Sequence, residues 1–181
     1  MKYINFTLLT LLLLFQPTFG HCEEKLKIVA TLTSFADIAS SIGGDRVEVS
    51  SIGTPRFNPH FIEPKPSDVI KLKRTDLYIH SGLDLEAWSG PLVDAAARSE
   101  LRKGGVRQLD LSKGIAILEI PNGQVSRAEG DIHLQGNPHY WLDPRNGKTM
   151  ATTIAEKLIE LDPANSATYL ANRDRFNASL D

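Results

Sequence analysis

The sequence predicts an α/β fold, a mostly parallel sheet flanked by helices. Three observations carry that expectation. Short apolar runs of strand length alternate with segments whose apolar residues recur at helical spacing. The connections between them are short, which suits β–α–β units. The composition is that of a globular chain, with 41% hydrophobic and 23% charged residues in 181.

In chain order, Leu26–Leu32 (LKIVATL) is the first buried strand. Ser34–Ile42 follows as a helix with Phe35, Ile38, Ala39 and Ile42 on one face, stopped by Gly43 and Gly44. Arg46–Ile52 alternates Val47, Val49 and Ser51 against Arg46, Glu48 and Ser50, a second strand. Pro66–Leu72 is a short helix with proline at its first position and Asp68 in its first turn. Asp76–His80 is the third strand, and Leu85–Arg98 a helix around Trp88, Leu92 and Ala95. Val106–Leu111 is the fourth strand, with Ile115–Leu118 a candidate for a short further one. Asp143-Pro144 and Asp162-Pro163 each start a helix, aspartate as N-cap and proline at the first helical position. The first carries Met150, Ile154, Leu158 and Leu161 on one face. The second shows Ala167, Leu170, Ala171 and Ala178 as an apolar stripe and has no stop signal before Asp181.

The N-terminus reads as an address rather than as part of the fold. Lys2 precedes an apolar run from Ile4 to Phe15, broken by Gln16-Pro17 and leading to Gly20, the pattern of a secretory signal peptide over residues 1–20. A membrane anchor needs about 20 apolar residues, more than this run supplies. Cleavage after Gly20 leaves His21 and Cys22 at the mature end, and His21 occupies the place where a lipoprotein signal needs a small residue, which argues against lipid anchoring at Cys22.

Several chemistries are excluded or unsupported. With 20 Lys and Arg against 22 Asp and Glu the net charge is −2, without the basic excess of a nucleic-acid binder. One cysteine makes neither an intramolecular disulfide nor a Cys-based zinc cage. Gly147-Lys148-Thr149 imitates the end of a phosphate-binding loop, but Leu142 stands where that loop needs glycine. G-x-G-x-x-G, G-x-S-x-G and H-E-x-x-H motifs do not occur.

The histidines carry the chemistry. His80 ends a strand and reads as a hydrogen-bonded structural residue. His60 and His139 sit in echoing contexts, Asn58-Pro59-His60-Phe61 and Asn137-Pro138-His139-Tyr140. Each proline fixes its own φ and drives the preceding asparagine toward an extended conformation, so each imidazole is held on a stiff loop. In a parallel sheet both loops should leave from the carboxyl ends of strands, where ligands collect. The echo alone leaves shared metal ligation and structural loop histidines both open.

Three stretches narrow the choice: His60-Phe61-Ile62-Glu63-Pro64-Lys65-Pro66-Ser67-Asp68, Asp76 to Trp88 (DLYIHSGLDLEAW), and Gly136-Asn137-Pro138-His139-Tyr140-Trp141-Leu142-Asp143-Pro144. In this order they resemble the zinc- and manganese-binding solute-binding proteins of ABC transporters, the cluster A-I or metal-adhesin family. That resemblance implies one lobe of a two-lobe protein that clamps a metal between lobes joined by a long helix. Residues 21–161 then form the N-terminal lobe and 162–181 the start of the linking helix, with the C-terminal lobe and its ligands absent. His60 and His139 map onto the family's N-lobe ligands, which leaves half a metal site.

His133, the one histidine between Glu119 and Gly136, is an auxiliary ligand or a plain loop histidine. Glu63 reads as a carboxylate bracing the loop, Asp143 as a helix cap. The implied cargo is Zn²⁺, alternatively Mn²⁺, and the implied partner is the membrane permease of an ABC transporter. The implied location is periplasmic, the implied form a monomer without enzymatic activity. Two other readings remain: a small secreted metallohydrolase with an open histidine site and Glu63 as base, and a surface adhesin.

Overall fold

The structure, a computed structural model, describes residues 24–122 and 133–181. The expected signal peptide, its cleavage point and Cys22 lie outside the described residues. Strands β1 (Leu26–Ala30), β2 (Val47–Ser51), β3 (Leu77–His80) and β4 (Gln108–Asp110) form one parallel sheet in the order β2-β1-β3-β4. Between and after them run helices α1 (Thr33–Gly43), α2 (Pro66–Arg74), α3 (Ser89–Ala96), α4 (Pro144–Leu161) and α5 (Ser166–Ser179). Among the described residues no helix is long and apolar enough to cross a membrane.

Both faces of the sheet are covered, which is why its central strands β1 and β3 bury apolar residues on both sides, while the edge strand β2 keeps Glu48 exposed. In β1, Ile28 and Ala30 point to one face and Val29 to the other. In β3, Leu77 and Ile79 oppose Tyr78 in the same way. The larger face packs on α1, α4 and α5 through Phe35, Ile42, Ile154, Leu158 and Tyr169, and the smaller on α2 and α3 through Leu72, Leu92 and Val93. Each of these side chains contributes roughly 1.5–3 kcal/mol by leaving water. The chain runs outward from β1 to β2 and then back past β1 to β3, so the strand order reverses between β1 and β3. A crevice forms at the carboxyl ends of strands flanking such a switch.

The expected elements are present with local corrections. The helix expected over Leu85–Arg98 begins at Ser89. Gly82, Leu83 and Asp84 all take left-handed backbone conformations, φ 74, 54 and 58°, which sets residues 83–88 in turns, and Ala97, φ 57°, ends the helix. Aspartate tolerates this region, but Leu83 does not, and there the surrounding fold holds a conformation that costs about 1–2 kcal/mol. Glycine is favoured at position 82, since its φ is 74° and a Cβ there would meet the Asp110 carboxylate at 2.2 Å and displace that side chain.

Ile115–Leu118 is not a strand; among the described residues the sheet ends at β4, and Leu118 is 70% exposed. The Asp143 cap forms as expected, its Oδ1 accepting the Arg145 N–H at 2.9 Å. The Asp162 cap does not: its carboxylate instead accepts the Tyr169 hydroxyl at 2.5 Å and the Asn165 amide at 2.8 Å. The last helix therefore starts with a short 3₁₀ turn, Pro163–Asn165. Its inward face is Tyr169 and Phe176, not the stripe of Ala167, Leu170, Ala171 and Ala178, which stays exposed.

Candidate metal centre

His60 sits on a 3₁₀ turn, Pro59–Phe61, and His139 immediately precedes another, Tyr140–Leu142. The repeated asparagine has a physical reason. Asn58 Oδ1 accepts the His60 backbone N–H at 3.0 Å, and Asn137 Oδ1 accepts that of His139 at 2.9 Å. Asparagine two residues ahead thus closes the same local turn in both loops.

Asn137 does more. Because its Oδ1 receives a backbone N–H it is the oxygen, and it also lies 2.9 Å from Nδ1 of the His139 ring. Nδ1 therefore carries the ring proton and Nε2 presents its lone pair, the tautomer a metal ligand needs. The other end of the Asn137 amide donates to Glu119 at 2.8 Å, which fixes its orientation.

The two loops bring the imidazoles together: His60 Nε2 lies 3.1 Å from His139 Nε2. Two nitrogens each about 2.05 Å from a tetrahedral zinc stand about 3.3 Å apart. The separation is thus close to that of two ligands on one ion. Without the ion it also suits one N–H···N hydrogen bond, for which the bare His139 Nε2 is the acceptor.

His133 joins the group, its ring stacked on His60 at 5.0 Å between centroids and edge-on to His139 at 6.2 Å. The rings cluster, but among the described residues no three His, Cys, Asp or Glu side chains converge closely enough to hold an ion. Glu63 is exposed and makes no hydrogen bond or ion pair among the described residues, so it does not brace the loop.

Aromatic side chains hold the pair from below. The Trp88 indole N–H donates to the Pro59 carbonyl at 2.8 Å, next to His60. The Tyr140 hydroxyl donates to the Ser81 carbonyl at 2.6 Å, next to His139, and burial pushes its pKa up. Trp141 lies 5.3 Å from the His139 ring and edge-on to Phe35 at 5.9 Å. Toward solvent, Phe61 and Leu142, which end the two turns, are each 73% exposed.

His80 stays apart as a structural residue. Its Nδ1 accepts the Gly82 N–H at 3.0 Å, the Gln108 amide meets Nε2, and burial lowers its pKa. Sequence reading missed Glu86, which is 5% exposed, and burial pushes its carboxyl up to about 7. It also misplaced Trp88, which it put in a helix.

Comparison with known proteins places the chain in a family. The model of the family described as zinc-uptake complex component A periplasmic matches residues 28–181. The manganese ABC transporter substrate-binding lipoprotein PsaA of Streptococcus anginosus is 35% identical over 162 residues, covering 87% of this chain and 49% of that protein. The metal ABC transporter substrate-binding lipoprotein SsaB of Streptococcus sanguinis is 36% identical over 193 aligned positions, covering 99% of this chain and 58% of its own length. A zinc-bound crystal structure of a ZnuA deletion mutant superposes with a TM-score of 0.72 at 34% identity, over 87% of this chain and 55% of that one. The chain spans about half the length of the curated relatives it matches. With the family model matched from the first strand to the last residue, the chain belongs to the zinc-uptake complex component A periplasmic family.

Proposed function

We propose that this chain takes part in capturing a divalent metal ion outside the cytoplasm, with delivery to the membrane permease of an ABC transporter. The observation that carries the reading is the His60–His139 pair, 3.1 Å apart at Nε2 with the His139 lone pair set by Asn137. Imidazole nitrogen suits zinc, and manganese where carboxylates complete the sphere. Relatives named for manganese and a ZnuA structure with zinc bound are consistent with either. On this reading His60 and His139 are ligands and His133 an auxiliary one. Residues 21–161 are the metal-facing lobe, and 162–181 open the helix that leads from it.

The role is binding and handover, which needs no catalysis, and the family is one of uptake components. Glu63, the base of the hydrolase alternative, touches neither histidine. Calorimetric titration of the chain with Zn²⁺ and Mn²⁺ tests the proposal. His60→Ala and His139→Ala should each lose zinc affinity, and unchanged affinity in both overturns it.

A further inference from the structure

We infer that Glu86 is a positioning residue for the histidine pair, a single buried carboxylate oxygen that ties together the ends of β1 and β3, on which both histidine loops lean. The inference rests on the metal-capture reading of that pair. Glu86 Oε1 accepts two hydrogen bonds, from the Thr31 hydroxyl at 2.6 Å and from the Ser81 backbone N–H at 2.8 Å. Thr31 directly follows β1 and Ser81 directly follows β3, the neighbouring strands between which the sheet order reverses. One oxygen therefore spans the mouth of the crevice.

Each partner passes the constraint upward. The Thr31 carbonyl accepts the Gly53 N–H at 2.8 Å, at the point where the chain leaves β2 toward His60. A Cβ on Gly53 would lie 2.8 Å from that same carbonyl, so the loop departs there in close backbone contact. The Ser81 carbonyl accepts the Tyr140 hydroxyl at 2.6 Å, one residue beyond His139. Two residues after Glu86, Trp88 holds the Pro59 carbonyl, one residue before His60. The Glu86–Trp88 turn is thus in contact with both arms, and the separation of the two Nε2 atoms depends on it.

A carboxylate is a costly choice at this place, because burial works against its ionised form. Two donors on adjacent strand ends need one acceptor between them, and an apolar side chain supplies none. Metal ligands generally owe their geometry to such supporting contacts, whose loss costs roughly 10–100-fold in affinity.

The test uses the whole chain, zinc titrated against a chromophoric chelator, and ring-¹⁵N spectra of the histidines without metal. Glu86→Ala should lower zinc affinity by about 10–100-fold and displace the His60 and His139 ring-nitrogen resonances. Glu86→Gln keeps an acceptor oxygen at the same place and should restore both to near wild type, a rescue that bulk destabilisation does not explain. Thr31→Val cuts only the His60 arm and serves where Glu86→Ala does not fold; it should displace the His60 resonances and weaken zinc binding.

Wild-type zinc affinity and unshifted resonances in Glu86→Ala, or in Thr31→Val where that variant stands in, overturn the inference. So does a Glu86→Gln variant as impaired as Glu86→Ala. If wild-type chain binds zinc no better than His60→Ala, the capture reading fails. The ring-nitrogen spectra then still decide whether Glu86 sets the pair.

Discussion

At Glu86 two demands compete, a shared acceptor for Thr31 and Ser81 and the cost of a charge inside the fold. That conflict has a pH signature. An ordinary carboxyl titrates near 4.5, and burial raises this one to about 7 in the folded chain. Folding therefore takes up a proton between those values. The contribution of Glu86 to stability is complete below pH 4.5 and is lost as pH rises through 7, by about 3 kcal/mol. His80 acts in the opposite sense: burial lowers its pKa, so its contribution is present above pH 6.5 and is lost on acidification. Glu86→Gln removes only the first effect. Urea denaturation should show this variant gaining on wild type between pH 5 and pH 8, and an equal difference at both pH values refutes the assignment.

Among the elements, α5 shows what local signals can and cannot specify. Its buried side is anchored by Tyr169, fully inaccessible and tied to Asp162, while Leu170 is 37% exposed. Tyr169→Ala should cost about 3–5 kcal/mol by leaving a cavity against α1 and α4. Leu170→Ala should cost within about 0.5 kcal/mol, as an exposed substitution does. Chemical denaturation separates the two, and comparable losses contradict the packing.

The sequence marked Ala167, Leu170, Ala171 and Ala178 as the apolar stripe of this helix, whereas the side that docks runs through Tyr169 and Phe176. Which side is covered is decided by the docking surface, which local spacing does not contain. By contrast the Asp143-Pro144 start was legible, because a cap is made within three residues. The turn before α3 was not, since Leu83 is a residue that rarely adopts positive φ and is held there by the surrounding fold. At the site the repeated Asn-Pro-His made His60 and His139 legible. Glu86 was hidden, because its hydroxyl partner Thr31 lies 55 residues away and no pattern links them.

Over the whole molecule, the two histidine loops meet only because the sheet is assembled. His60 and His139 stand 79 residues apart in sequence and 3.1 Å apart at Nε2. An unfolded chain rarely brings them together, so an ion that uses both binds the folded state and stabilises it by mass action. Zinc at a hundred times its dissociation constant adds about 2.7 kcal/mol. In a domain of this size each kcal/mol raises Tm by about 2–4 °C, which places the expected rise near 5–10 °C in a calorimetric scan. Manganese at the same concentration should raise it less, because the pair presents imidazoles and no carboxylate. His60→Ala and His139→Ala should each abolish the zinc shift. A full shift retained in either variant means that the ion stabilises the fold from somewhere other than the crevice between β1 and β3.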